Sequence, residues 1–397
     1  VEGRLVMKVY ADLHVHVGRT EEGIFIKVSA SRNLTLLNIL EKSIFKGIDI
    51  VGVVDCASPH LISEIKKYQD EGILSALEGG GMRYKDRVTL ILGSEIEIGG
   101  EEKGSPHLIA YFKTLEDISL FSEKISRYMK NVNLSSQRVN INSQEAVEIM
   151  KSCNGIPVPA HVFTPFKSYY GSSTDRLNKV FKDFCNEIDA VELGLSADSD
   201  MADQIAELSS KTFLSNSDAH SLEKIAREFN VLEIEEANFE EVLLALRREK
   251  GRKVLKNYGL DPKLGKYHRT FCLECGYIAK EPPPVTKCPK CGSERVVMGV
   301  RDRIEQIKDH DTIHPPFRSP YIYQIPLEFI PNIGKKTIKK LVDYFGSELY
   351  ALHEATYEEL KKAVGEKIAL NILKARNGEI SIAAGGGGIY GKVFLEN

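Results

Sequence analysis

Between residues 7 and 250 the hydrophobic period keeps switching, and this alternation narrows the possible folds more than any other feature. Ile48 to Val54 has the apolar, β-branched character of a parallel strand buried on both faces. Val88 to Ile98, Gly155 to Ala160, Ala190 to Leu193 and Thr212 to Leu214 predict further strands. Between them, Leu34 to Lys46, Ile118 to Lys130, Ser143 to Ser152, Thr174 to Asn186 and Phe239 to Arg248 carry helical spacing. A repeated βα unit of this kind predicts an α/β domain closed into a barrel, with reactive residues gathered just after the strands.

Metal-binding side chains sit at those places. Asp12-Leu-His14-Val-His16 follows a strand-like opening, and residues at i and i+2 of a strand point to the same face. Gly93-Ser-Glu95-Ile-Glu97 ends another strand, His161 follows Pro157 to Ala160, and Asp218-Ala-His220 follows Thr212 to Leu214. Asp55 and His60 follow the strand at 48–54, and His107 stands in Ser-Pro-His-Leu-Ile. A lone His is more often a satisfied core residue than a ligand. Two same-face pairs at strand ends instead predict a multinuclear site, and imidazole with carboxylate suits Zn²⁺, Mn²⁺ or Fe²⁺.

Of the seven Cys, three (Cys56, Cys153 and Cys185) are scattered, and four form two CxxC pairs, Cys272/Cys275 and Cys288/Cys291, each followed by Gly. This is no secreted disulfide framework, so a reducing cytosol is expected. Four thiolates at this spacing predict one structural Zn²⁺ in a ribbon over 266–300. The ribbon either grips a partner or spaces the barrel from the tail. Lys250 to Gly265 reads as a linker and Asp309 to Gln324 as an extended, Pro-rich connector.

Residues 325–378 read as short helices. Asn332-Ile-Gly334-Lys335-Lys336-Thr337 precedes a helix at 337–345, and Gly365-Glu-Lys367 precedes one at 366–376. A Gly turn at a helix start exposes backbone N–H groups that bind phosphate oxygens without reading bases. Asn332 stands where a Gly is usual, and Asn tolerates left-handed geometry. These segments resemble a tandem helix-hairpin-helix DNA-binding module, with a protein-contact bundle as the alternative. Residues 379–397 hold four consecutive Gly, 385–388, read as a flexible turn before a strand at Ile389 to Leu395.

Charge agrees with a division of labour. Residues 1–262 carry 32 Lys/Arg against 40 Asp/Glu, while residues 263–397 carry 21 against 16. An acidic part suits cation binding and a basic part suits phosphate, although ordinary solvated surface has the same look. No apolar run is long enough to span a membrane and no signal peptide is recognisable, so no membrane partner is expected. Met7 reads as a native start, with Val1 to Val6 an upstream remnant.

The series DLHVH, GSEIE, AHVFTPF and NSDAH resembles the PHP (polymerase and histidinol phosphatase) superfamily. That resemblance implies a distorted (β/α)7 barrel over 7–250 holding two or three divalent ions, Zn²⁺, Mn²⁺ or Mg²⁺. It assigns one ion to His14, His16, Glu95 and Asp218, a second to Glu95, His107 and His161, and His220 to a third. The superfamily usually reads T-D-H after the second strand, whereas Val54-Asp55-Cys56 stands here, which leaves the third ion open, with Asp55 or His60 as substitutes. Barrel, ribbon and hairpins in this order, with ELGLSADS, FTPFKSYYG and FLSNSDAHS, are similar to the endonuclease Q family.

That similarity implies a DNA-repair endonuclease acting 5′ of hypoxanthine, uracil, xanthine or an abasic site. Its partners would be damaged double-stranded DNA and, further, single-stranded DNA, in a cytoplasmic, nucleoid-associated setting. A sliding clamp is a further partner to consider, although no Q-x-x-L-x-x-F-F motif is present. His161 and Asp218 are expected to be catalytic, and Asp198 is read as ligand or general acid, with a helix cap as the alternative. Phe163, Phe166, Tyr169 and Tyr170 are candidates for a base pocket, with barrel-rim packing as the alternative. Two rivals are a small-molecule phosphatase of the same superfamily and a non-catalytic DNA-binding protein.

Overall fold

A computed structural model describes residues 6–395. Most of the segment Val1 to Val6, and the last two residues of the C-terminal segment, lie outside the described residues. Strand β1 (Met7–Val15) lies parallel to β2 (Ile50–Val53), which lies parallel to β3 (Val88–Ile98). β4 (His107–Phe112) is antiparallel to β3, and β5 (Ile156–Pro159) is antiparallel to β4. β6 (Ala190–Glu192) follows, joined by the bond from Val162 N–H to the Glu192 carbonyl (2.9 Å), and pairs in parallel with β7 (Thr212–Leu214). The ring closes where Ala219 bridges back to β1, accepting from His16 N–H and donating to the His14 carbonyl. Seven strands thus form the expected barrel.

One step departs from the βα alternation. Only residues 99–106 join β3 to β4, too short for a crossover helix, so the two strands form a hairpin with Glu97 opposite His107. His107 therefore opens its strand at the same barrel end where Glu95 and Glu97 close theirs. The expected helix from Thr174 to Asn186 also breaks. Leu177–Phe181 is helical, Lys182 turns to φ +46°, and a short 3₁₀ segment follows.

Beyond β1, the sheet continues through β8 (Phe229–Ile234), β9 (Lys253–Gly259) and β10 (Tyr321–Tyr323). The middle of the predicted linker is therefore a strand. Its lysines obscured the pattern, because Val254 and Asn257 face inward while Lys253 stays in solvent, and Asn257 Nδ2 donates to the Phe213 carbonyl. The Pro-rich connector ends in β10 after wrapping the barrel, anchored by Arg318 on buried Asp203 (2.6 Å).

Val9, Ala11, Leu13, Ile91, Ile109 and Tyr111 fill the barrel, closed at one end by Phe239, Val242 and Leu246 of the helix Phe239–Arg247. A second apolar layer lies between the strands and the helices Leu36–Lys46, Pro59–Asp70, Leu115–Ser126 and Ser143–Lys151. A third core, around Leu341, Leu352, Leu360 and Ile372, unites Lys335–Phe345, Glu348–His353, Tyr357–Val364 and Glu366–Arg376. This helical unit is fixed to the barrel by the buried pair Lys46–Glu348 (2.9 Å) and by His353, whose ring lies 4.7 Å from Tyr258. The C-terminal strand starts at Lys392 rather than Ile389, and the glycine run before it is packed rather than loose. Among the described residues no helix is long and apolar enough to cross a membrane.

Candidate active site

The donors converge at the barrel end described above, and a backbone irregularity aims two of them. β1 carries one residue more than β2 between Asp12 and Val15. A bulge of this type re-aims side chains. Leu13 packs in the barrel core, while the next residue, His14, and then His16 face Glu95. His14 Nε2 lies 3.2 Å from His16 Nε2, 3.5 Å from Glu95 Oε1 and 3.5 Å from Asp218 Oδ1, with His16 Nε2 to Asp218 Oδ1 at 3.4 Å. Ligand atoms about 2.1 Å from a tetrahedral ion stand about 3.4 Å apart, so His14, His16 and Glu95 are spaced as a group that could hold an ion, with Asp218 at the same spacing from both histidines. Glu95 Oε1 also lies 3.4 Å from His161 Nε2 and 2.7 Å from His107 Nδ1, giving a second group that shares the carboxylate. His16, Asp218 and His220 form a third, overlapping group. His161 and Asp218 both adopt positive φ, +30° and +46°. Such backbone is costly for non-glycine residues and is held only where the surroundings over-determine it.

Outside the donors a set of carboxylates orients the imidazoles, an arrangement common around bound metals. Glu192 Oε2 lies 2.9 Å from His14 Nδ1 and accepts from Asn216 Nδ2. Asp55 Oδ1 lies 3.0 Å from His16 Nδ1, and Asp55 also accepts from Val17 N–H and the Ser135 hydroxyl. Lys27 Nζ sits 3.0 Å from His16 Nε2 and 3.3 Å from Glu95 Oε2, and donates to Ser136. Although burial opposes it, Glu192, Asp218 and Glu95 raise His14 to about 10. Burial also opposes ionisation of Asp218 and Glu95, yet the histidines around Asp218, and His107 and Lys27 beside Glu95, hold both well below the ordinary carboxyl range. Burial and neighbouring His16 push His220 down to about 4, leaving it a neutral imidazole with a free lone pair.

Several expected residues lie elsewhere. Cys56 is buried in the apolar layer, where burial pushes its thiol up, and its backbone N–H bonds the Gly93 carbonyl. Asp55 acts on His16 rather than joining a donor group, and His60 lies on the helix Pro59–Asp70 outside every donor group found among the described residues. Asp198 is the helix cap of its two alternatives. It accepts from Met201 N–H (2.8 Å) and the Tyr323 hydroxyl (2.7 Å), and it too is outside the donor groups. Three of the four aromatics proposed for a base pocket are core. Phe163 stacks on Tyr170, Tyr169 packs on Phe181, and all are buried because the chain after His161 folds back beneath the rim. Phe166 is exposed, edge-on to Tyr267.

The cavity that opens on the donors is lined by other residues. It measures about 420 Å³ and is bordered by His161, Asp218, His220, Arg227, Tyr267 and Tyr390. Glu192, Lys27, Tyr267 and Tyr390 had no part in the sequence-based site. Of these, only Glu192 left a readable trace, an acid inside a short apolar strand.

In the ribbon, Cys272 and Cys291 sulfurs are 3.7 Å apart and Cys275 and Cys288 sulfurs 3.6 Å. Both distances match the edge, about 3.8 Å, of a thiolate tetrahedron around Zn²⁺. Gly276 and Gly292 take φ +66° and +74°, the left-handed turn each knuckle needs. In the helical unit, Asn332 has φ +68°. The helices starting after Gly334 and Gly365 have no side-chain cap, so their first N–H groups are free of such acceptors. Lys335, Lys336 and Lys367 are exposed, and Thr337 is half-buried.

Comparison with known proteins agrees with this architecture. A family model described as PHP-associated matches residues 198–250. The uncharacterized protein YqxK of Bacillus subtilis (strain 168) is 46% identical over 392 residues, covering 97% of this chain and 99% of its own length. The uncharacterized protein MJ0043 of Methanocaldococcus jannaschii is 43% identical over 254 residues, 59% of this chain and 31% of that protein. The lesion-specific endonuclease PfuEndoQ from Pyrococcus furiosus is 34% identical and superposes with a TM-score of 0.84, over 98% of this chain and 96% of that one. An Endonuclease Q in complex with a 27-mer duplex carrying an abasic lesion at the active site is 33% identical, with a TM-score of 0.85, over 98% and 97% of the two chains. Identity at this level along nearly the whole length, with one architecture, shows that the chain belongs to the endonuclease Q family of DNA endonucleases.

Proposed function

We propose that the protein hydrolyses the phosphodiester bond on the 5′ side of a deaminated base (hypoxanthine, uracil or xanthine) or an abasic site in duplex DNA, leaving a 3′-hydroxyl. The observation that carries this reading is that one cavity of about 420 Å³ shares His161, Asp218 and His220 with the donor cluster. Its size falls in the range of about 300–1,000 Å³ usual for small-ligand sites. A nucleotide turned out of the duplex can enter it, and damaged pairs open at lower cost.

Divalent ions bound there would supply a water acidified to hydroxide and positive charge for the attacked phosphate. His14, His16, Glu95 and Asp218 would hold one ion, and Glu95, His107 and His161 a second. The third group lacks the expected histidine at Cys56. Glu192 and Asp55 keep His14 and His16 aimed. Arg227 braces the Asp218 loop through the Ser217 and Asp218 carbonyls, and Lys266 adds positive charge to the cavity wall. Away from the cavity, the turns at Asn332–Thr337 and Gly365–Lys367 would hold phosphates through helix-start N–H groups.

The test uses duplexes with a single inosine, uracil or abasic position, each strand labelled in turn, with and without chelator. Metal-dependent cutting immediately 5′ of the lesion is expected. Equal cutting of undamaged duplex, or release of phosphate from small monoesters without strand cleavage, would overturn the proposal.

A further inference from the structure

The glycine-rich end of the chain reaches the cavity. Ile380–Ala383 and Lys392–Leu395 pair antiparallel, and the hairpin tip lies along residues 263–266. Gly385 N–H donates to the Lys263 carbonyl (2.7 Å), Gly388 N–H to that of Lys266 (3.3 Å) and Gly391 N–H to that of Leu264 (3.0 Å). A Cβ on Gly386 would come within 2.8 Å of Ile278, and one on Gly387 within 2.7 Å of Phe271, both in the ribbon. The glycines thus serve close approach, clamping the tip between the ribbon and the segment that follows the barrel.

Tyr390 is the residue this hairpin contributes to the cavity lining. Its hydroxyl accepts from Arg227 Nη1 at 2.6 Å, and Lys266 Nζ lies 4.7 Å from its ring centre. Arg227 is itself tied to the Ser217 and Asp218 carbonyls, so the ring is pinned relative to the donor cluster. An aromatic ring fixed by a hydrogen bond at a cavity wall is a platform on which a planar heteroaromatic ring stacks, whatever its hydrogen-bonding edge. Tyr267, from the start of the ribbon region, lines the same cavity.

We propose that Tyr390 is a specificity-determining wall of the cavity, stacking on the extruded damaged base, so that the C-terminal hairpin completes the lesion site of the barrel. This rests on the reading of the cavity as the place of the extruded nucleotide. An abasic nucleotide has no base to stack, and that difference separates the two claims.

The experiment compares full-length, metal-loaded wild type with Tyr390→Ala, Tyr390→Leu and Tyr390→Phe on duplexes carrying inosine, uracil or an abasic position. For Tyr390→Ala we expect kcat/KM on the two base-bearing lesions to fall about 10- to 100-fold, mainly through KM, the scale of one lost base stack. Abasic cutting should fall clearly less than cutting of the two base-bearing lesions, because an abasic nucleotide offers no base to stack, and metal content should stay near that of wild type. Tyr390→Leu keeps bulk without a π face and should follow Tyr390→Ala, while Tyr390→Phe should keep the preference. Equal loss on abasic and base-bearing duplexes, or no loss on either, overturns the proposal. A wild-type protein that cuts no damaged duplex instead overturns the functional reading beneath it.

Discussion

The barrel donors are spread over residues 14–220 and meet only through the fold, whereas the four thiolates lie within residues 272–291 and meet through two local turns. His14, His16 and Glu95 are buried and aimed by Glu192, Asp55 and Lys27, so protein groups hold their geometry. Cys275 and Cys291 are exposed, and the ribbon's paired strands are two residues long. The barrel donors are thus held in place by protein groups, whereas the four thiolates, which could hold a structural metal, have little other structure around them.

That contrast can be broken experimentally. Asp218→Asn or His161→Ala should lower cleavage by on the order of a thousandfold, the scale of losing a preorganised charge contact, while DNA affinity and ribbon zinc persist. Near-normal cutting under limiting metal would show that the centre lies elsewhere. Cys272→Ser should remove about one equivalent of zinc and expose the ribbon to proteolysis, leaving the barrel metals in place. Unchanged zinc by metal analysis would contradict it. Glu192→Gln should sharpen the comparison, because it touches no ion directly. We expect metal affinity or turnover to fall about 10- to 100-fold with the melting temperature nearly unchanged, and an unaffected metal titration would refute the orienting role. The smallest effect is expected from Lys335→Ala with Lys336→Ala. Binding to damaged and undamaged duplex should weaken alike, and the salt slope should flatten by about two units at most. Loss of lesion preference with normal affinity for undamaged DNA would mean the hairpins read damage.

What the sequence made legible follows the same contrast. The CxxC spacing and the same-face His pairs are local, so they could be read directly, and Asn332 takes the left-handed geometry its residue type suggested. The aiming groups are not local. Lys27 and Tyr390 matter only because folding brings them to the site, and nothing beside them in the chain marks them, while Glu192 left only the trace of an acid inside a short apolar strand. Asp198 and the aromatics after His161 each allowed two readings because a motif names a neighbourhood but not a direction; Asp198 caps a helix, and Tyr169 and Tyr170 turn into the core. The strand at Lys253–Gly259 hid behind its lysines, since an amphipathic strand and a charged linker share composition.

The buried Lys46–Glu348 pair joins the helical unit to the barrel, with His353 packed on Tyr258 beside it. Removing one partner of such a pair leaves a buried charge unpaired and costs about 3–5 kcal/mol. The spacing between hairpin turns and cavity is thereby tied to the stability of that joint. A duplex held at both places has to match the spacing, and part of the deformation falls on the nucleic acid. Mechanical compliance of the duplex, set by the stiffness of the steps flanking the lesion, becomes part of recognition at positions no side chain touches.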